Sequence, residues 1–113
     1  MINVKEFLTM AFSYEDGMIL RNKILEELQN ASFVEVDFSG ITVFTTMFFN
    51  TCSGYFVFSN SKEWYEEKIK FANLNPMGIE THKHSIENAQ KRRLEKSLDL
   101  AKEITKKTIT ENS

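Results

Sequence analysis

The chain predicts a small α/β domain: a mostly parallel or mixed sheet of three or four strands, helices as crossovers, and a long C-terminal helix. Three observations carry this. Val34, Val36 and Phe38 alternate with Glu35 and Asp37, and Lys68-Ile69-Lys70-Phe71 alternates in the same way, the period-two pattern of a half-buried strand. Elsewhere apolar residues recur at threes and fours, the spacing of one helix face. The two patterns follow each other as strand, helix, strand, helix, strand, helix, and such alternation gives parallel strands joined by helical crossovers. In open α/β sheets, ligands and partners meet the carboxyl ends of the strands, here Asp37–Thr46 and the loop after Leu74.

The elements follow in order. Residues 2–12 place Ile2, Val4, Leu8, Met10 and Phe12 on one parity and predict a strand, with Glu6 on its apolar side and Phe7 on its polar side. Ser13 with Asp16 three residues later marks a helix start, and the acids sit where the helix dipole favours negative charge. From Met18 to Gln29 the stripe Leu20, Ile24, Leu28 recurs at fours, widened by Ile19 and Leu25. Asn30, which tolerates a left-handed backbone, is read as the end.

The stretch Phe33–Phe58 is the most apolar strand-loop-helix of the chain. Its strand runs to Phe38, and Ser39-Gly40 is a turn, because glycine adopts backbone angles that a strand residue does not. Phe48, Phe49, Cys52 and Phe56 at four-residue spacing predict a single buried helix, although Tyr55-Phe56-Val57-Phe58 also suits a strand. Ser59-Asn60-Ser61 breaks the pattern, Lys62–Glu67 is polar around Trp64 and Tyr65, and the next strand closes at Asn73-Leu74-Asn75-Pro76. Pro76 and Gly78 are read as a loop. From Ser85 to about Thr108, Ile86, Ala89, Leu94, Leu98, Ala101 and Ile104 trace one helix face, which either packs on the sheet or pairs with a second copy.

The totals bound the classes. At 113 residues the chain is expected to be one domain, residues 1–113, with one modest core. The net charge of −2 argues against a polyanion-binding protein as a whole. It is uneven: residues 1–79 carry six basic and ten acidic side chains, a balance of −4, and residues 80–113 carry eight and six, a balance of +2. One cysteine excludes an internal disulfide framework and fits a reducing compartment. With no leader pattern and no apolar run of spanning length, the expected setting is bacterial or phage-like cytosol.

Val36-Asp37-Phe38-Ser39-Gly40-Ile41, followed within a few residues by a helix, resembles the core motif of STAS domains, those of anti-sigma-factor antagonists and of sulphate-transporter tails. The Gly17/Arg21 helix opening, the Phe48 helix with Gly54, and the Asn73-Leu74-Asn75-Pro76 strand end are similar to the short STAS-like family of unknown function (DUF4325). The resemblance covers about residues 14–77. It implies a non-enzymatic module that binds a protein partner, kinase-like or anti-sigma-like, through the loop and helix start after the central strand. The residues so implicated are Asp37, Ser39, Gly40, Thr45, Thr46 and Met47. In regulatory STAS domains a serine at that helix start is phosphorylated. Met47 occupies the position here and cannot accept a phosphate. Thr45 and Thr46 are the remaining hydroxyls, and a threonine at a helix start is ordinarily its N-cap.

Asp37 beside a turn is expected to bond loop amides. Cys52 among phenylalanines is read as an inert buried thiol. His82 and His84 with Glu80 lie two apart and share no helix face, so no metal and no cofactor is expected. Lys91, Arg92, Arg93 and Lys96 form a basic patch, interleaved with Glu87 and Glu95 and carrying no aromatic stacking residue. A nucleic-acid accessory role for this patch is the alternative function. No nucleophile–base set or phosphate loop points to an enzyme.

Overall fold

The structure is a computed structural model and describes residues 1–111, with side chains through residue 105. Three parallel strands lie in the order β1 (Ile2–Asn3), β2 (Val34–Asp37), β3 (Ile69–Ala72). Val34 pairs with Ile69 and Asp37 with Ala72, while Ile2 pairs with Val36. The helices are α1 (Tyr14–Leu28), α2 (Thr46–Thr51), α3 (Ser53–Ser59), α4 (Lys62–Lys68) and α5 (Pro76–Glu111). The α/β class, the parallel sheet and the long last helix are as the sequence predicts. Among the described residues, no helix is long and apolar enough to cross a membrane.

Alternation places Val34 and Val36 on the buried side of β2, Glu35 on the exposed side, and Ile69 opposite Lys70 on β3. Phe38, fully buried, continues the inner row. Its ring meets those of Phe44, Phe48, Phe49 and Phe71, with centroids 4.9–6.3 Å away. Burying each such ring contributes about 2–3 kcal/mol, so Phe38 sits at the centre of the aromatic core that joins sheet to helices.

The capping box at α1 forms as expected: Ser13 Oγ accepts from Asp16 N and Asp16 Oδ2 accepts from Ser13 N, both at 3.1 Å. Gly17 on α1 faces α2 so closely that an added Cβ would lie 2.7 Å from the Phe48 carbonyl oxygen. Backbone contact at that distance requires glycine.

Several expectations are corrected. The first strand is two residues long, because Val4–Glu6 turn into a 3₁₀ segment and only Ala11 rejoins the strands, in a parallel bridge to Phe44. Ile19 and Leu25 do not widen the α1 stripe inward; both are exposed, and Leu20 and Ile24 fill it with Leu28 half-buried against the core. α1 ends at Leu28 with a helical Gln29 cap, and the left-handed residue is not Asn30 but Asn73, at φ 62°. The single helix expected over Phe48–Phe58 is two, broken at Cys52. Thr51 Oγ1 donates to the Met47 carbonyl four residues back, a bond that bends helices. Lys62–Lys68 is a helix, N-capped by Ser61 through a 3.0 Å bond from Trp64 N. Pro76 begins α5 instead of a loop: Asn75 Oδ1 accepts from Gly78 N at 2.8 Å, and proline fits the first helical position because no intrahelical partner awaits its missing N–H. Along α5, Ser85, Ile86 and Ala89 are buried and residues 91–105 are exposed, so the stripe of Leu94, Leu98, Ala101 and Ile104 projects past the core.

Candidate functional site

The loop between β2 and α2, residues 38–45, stands at the carboxyl edge of the sheet and is tied down from four directions. Asp37 Oδ1 accepts from Ser39 N (2.9 Å), Ser39 Oγ (2.7 Å) and Asn73 Nδ2 (2.8 Å). The Asn73 amide, then the Ser39 hydroxyl and amide, hold the Asp37 carboxyl below its ordinary value. Gly40 takes φ 83°, left-handed and suited to glycine, and its carbonyl accepts from Lys5 Nζ at 3.3 Å. Asn75, while capping α5, donates through Nδ2 to the Thr42 carbonyl at 3.1 Å. Ala11 N donates to Val43 O, and Thr45 N to Ala11 O, each at 3.0 Å.

Thr45 is the N-cap of α2: its Oγ1 accepts from Phe48 N at 3.2 Å and also donates to the Phe12 carbonyl. Its hydroxyl is therefore engaged on both sides. Thr46 is half-buried, and its carbonyl accepts from Ser85 Oγ of α5 at 3.2 Å. Met47, one residue further, is 57% exposed. Around it the tied segments carry further exposed apolar side chains: Phe12 (51%), Val43 (38%) and Met77 (55%). Thus Asp37, Ser39, Gly40 and Thr45 shape the loop, while Val43 on it and Phe12, Met47 and Met77 on the segments tied to it are exposed apolar side chains.

The remaining candidates separate. Cys52 is fully buried, and burial pushes its thiol far above the ordinary value, which removes the reactive thiolate. His82 packs against the rings of Phe49, Phe71 and Tyr65, while His84 is exposed, so the two do not converge. Burial pushes the His82 imidazole down to about 4. Its Nε2 lies 2.8 Å from the Tyr65 hydroxyl, which also pairs with Ser53 Oγ at 2.8 Å. This buried Ser53–Tyr65–His82 chain joins α3, α4 and α5, and sequence reasoning missed it because the three residues are far apart in the chain. Among the described residues, no group of three His, Cys, Asp or Glu side chains could hold a metal.

The basic patch is divided by the fold. Arg93 Nη1 donates to the Phe58 carbonyl near the end of α3 at 2.8 Å, a structural use. Arg92 and Lys96 lie over the Phe58 ring, at 5.8 and 5.2 Å from its centroid. The patch thus has an aromatic partner, contrary to the reading from its own sequence, because the ring arrives from α3. Lys91 is exposed.

Residues 16–78 match the model of a STAS-like domain of unknown function (DUF4325). That span runs from the first turn of α1 to the first turn of α5 and contains the whole tied loop. No curated protein and no solved structure matches the chain.

Proposed function

We propose, from the premise that the chain belongs to the STAS-like DUF4325 family, that it is a non-catalytic module which binds a protein partner through the β2–α2 loop and the start of α2. The observation that carries this reading is the combination of a loop edge tied by hydrogen bonds to Lys5, Ala11, Asn73 and Asn75 with exposed apolar side chains on it and on the segments beside it, Val43, Met47, Phe12 and Met77. A pre-ordered apolar surface binds without first losing loop entropy, and exposed apolar side chains gathered at one edge are what a protein partner covers. The partner is of regulatory type, kinase-like or anti-sigma-like, by analogy with the STAS domains that the core motif resembles. Because Met47 has no hydroxyl and that of Thr45 is engaged twice, a phosphate switch at the start of α2 would fall to the half-buried Thr46.

A photo-crosslinking residue placed at Met47 in the native host tests this. The expected result is one discrete protein adduct, absent when the same residue replaces Glu35 on the exposed sheet face. Adducts of equal pattern at both positions would sink the reading.

A second reading is favoured by one observation, the Phe58 ring beneath Arg92 and Lys96, which pairs cations with an aromatic as single-stranded nucleic-acid sites do. Its signature is affinity for an oligonucleotide that falls steeply with salt. Absence of binding at low salt removes it.

A further inference from the structure

We propose that a groove between α1, the α2–α3 segment and α5, apart from the β2–α2 loop surface, binds a small phosphate monoester between the guanidiniums of Arg21 and Arg92. The groove is shallow, holds about 310 Å³ and lies open to solvent. Tyr14 and Arg21 come from α1, Asn50 from α2, Tyr55 and Phe58 from α3, and Arg92 from α5.

Both guanidiniums are held on rings: Arg21 Cζ is 4.4 Å from the Tyr55 centroid and Arg92 Cζ 5.8 Å from that of Phe58. A guanidinium held over a ring keeps its charge and its terminal N–H donors, which can bind phosphate oxygens in pairs. No carboxylate takes them up; among the described residues the ion pair is Lys62–Glu66, on α4. Two uncompensated guanidiniums in one groove stand out in a chain of net charge −2.

Arg21 Nε and Asn50 Oδ1, on two of the lining residues, are buried without a hydrogen-bond partner, so each reaches a ligand only after its side chain turns toward the groove. A ligand that satisfies such an orphaned group gains that interaction on binding. Once turned toward the groove, the Asn50 amide accepts from a ligand hydroxyl through Oδ1 or donates to an oxyanion through Nδ2. Gly54 forms part of the wall: an added Cβ would stand 3.5 Å from Arg92 Nη2 and narrow the groove at the guanidinium.

The charge and shape select the ligand class. A carboxylate is satisfied by one guanidinium fork, whereas a phosphate monoester presents three oxygens and up to two charges, enough for forks from two helices. The volume lies at the lower end of small-molecule sites, so it admits the phosphate and a modest organic group.

The test is a titration followed by backbone amide resonances at ~0.15 M ionic strength, where distant surface charges are screened. The probes are inorganic phosphate, adenosine monophosphate, sulfate, and an oligonucleotide without terminal phosphate. The expected result is saturable shifts at Tyr14, Arg21, Asn50 and Tyr55 with adenosine monophosphate. Affinity should rise as the monoester loses its second proton near pH ~6. Arg21→Gln and Arg92→Gln should each weaken it by roughly tenfold or more. Arg92→Lys keeps the charge and the fold but loses the fork, and should weaken it too. Lys102→Gln, on the projecting part of α5, should leave it unchanged. Three outcomes would overturn the proposal: no saturable shift, equal affinity in Arg92→Lys, or tighter binding of the oligonucleotide with equal loss in Lys91→Gln.

Discussion

Thr45 holds two segments with one hydroxyl, since Oγ1 caps α2 at Phe48 N and donates to the Phe12 carbonyl. Thr45→Ala removes both, and is expected to cost about 1–2 kcal/mol in urea unfolding, whereas Thr45→Ser, which keeps the oxygen, should cost under about half of that. His82 makes a separate prediction in pH. Its folded value, about 4, lies below the ordinary 6.5, so the unfolded chain takes up the proton first. Stability from the neutral imidazole is full above pH 6.5, falls as the pH drops, and levels off below about pH 4, a total on the order of 3 kcal/mol. His82→Gln should flatten unfolding free energy across that window. Asp37, whose value is lowered from 3.8, loses its contribution only below that pH, so the two effects separate. At this scale the sequence is legible where partners are close. The Ser13–Asp16 box can be read from three-residue spacing, but Asp37 and Asn73 are 36 residues apart and meet only because β2 and β3 pair in register.

Elements divide along the same line. β2 and β3 could be read from alternation because one face of each is buried and the other faces solvent. The failure at residues 2–12 has a physical cause: alternation there is met by a 3₁₀ turn and an isolated bridge, both of which also bury every second or third apolar residue. α4 escaped because its buried face is a single aromatic pair, Tyr65 with half-buried Trp64, and its start is marked only by the Ser61 cap. The start of α5 was hidden by Pro76, which is a helix opener when Asn75 precedes it as the cap. Past Gln90 the helix leaves the core, with Arg92, Arg93 and Lys96 still in contact with Phe58. Truncation after Ser97 therefore removes exposed residues alone from the described part. The shortened chain should unfold within about 1 kcal/mol of the full one, because exposed substitutions and deletions outside the packed core change stability little. A larger loss, or a change in oligomeric state on sedimentation, would assign the Leu98–Ala101 side of the helix to a second copy.

For the whole molecule, the sheet is covered by helices on the face that carries Val34, Val36 and Phe38, and its carboxyl edge gathers the loop, the start of α2 and the start of α5. The STAS-like core motif led to that edge from the sequence alone, but the division of labour within it did not show there. Asp37, Ser39 and Thr45 are chemically conspicuous and turn out to be spent on holding the loop. Met47, Val43, Phe12 and Met77 look unremarkable in the chain, and become a surface only when the Ala11–Phe44 bridge and the Asn75–Thr42 bond bring four segments together. Val43→Asp and Met47→Asp put charge at exposed positions, and both should fold. The most direct test of the account is the affinity of the purified partner, identified by crosslinking at Met47, for these two variants. The account predicts a loss of at least about tenfold for each, near 1.4 kcal/mol, with unfolding free energy unchanged. Undiminished affinity in both would contradict it and move the interface away from the loop.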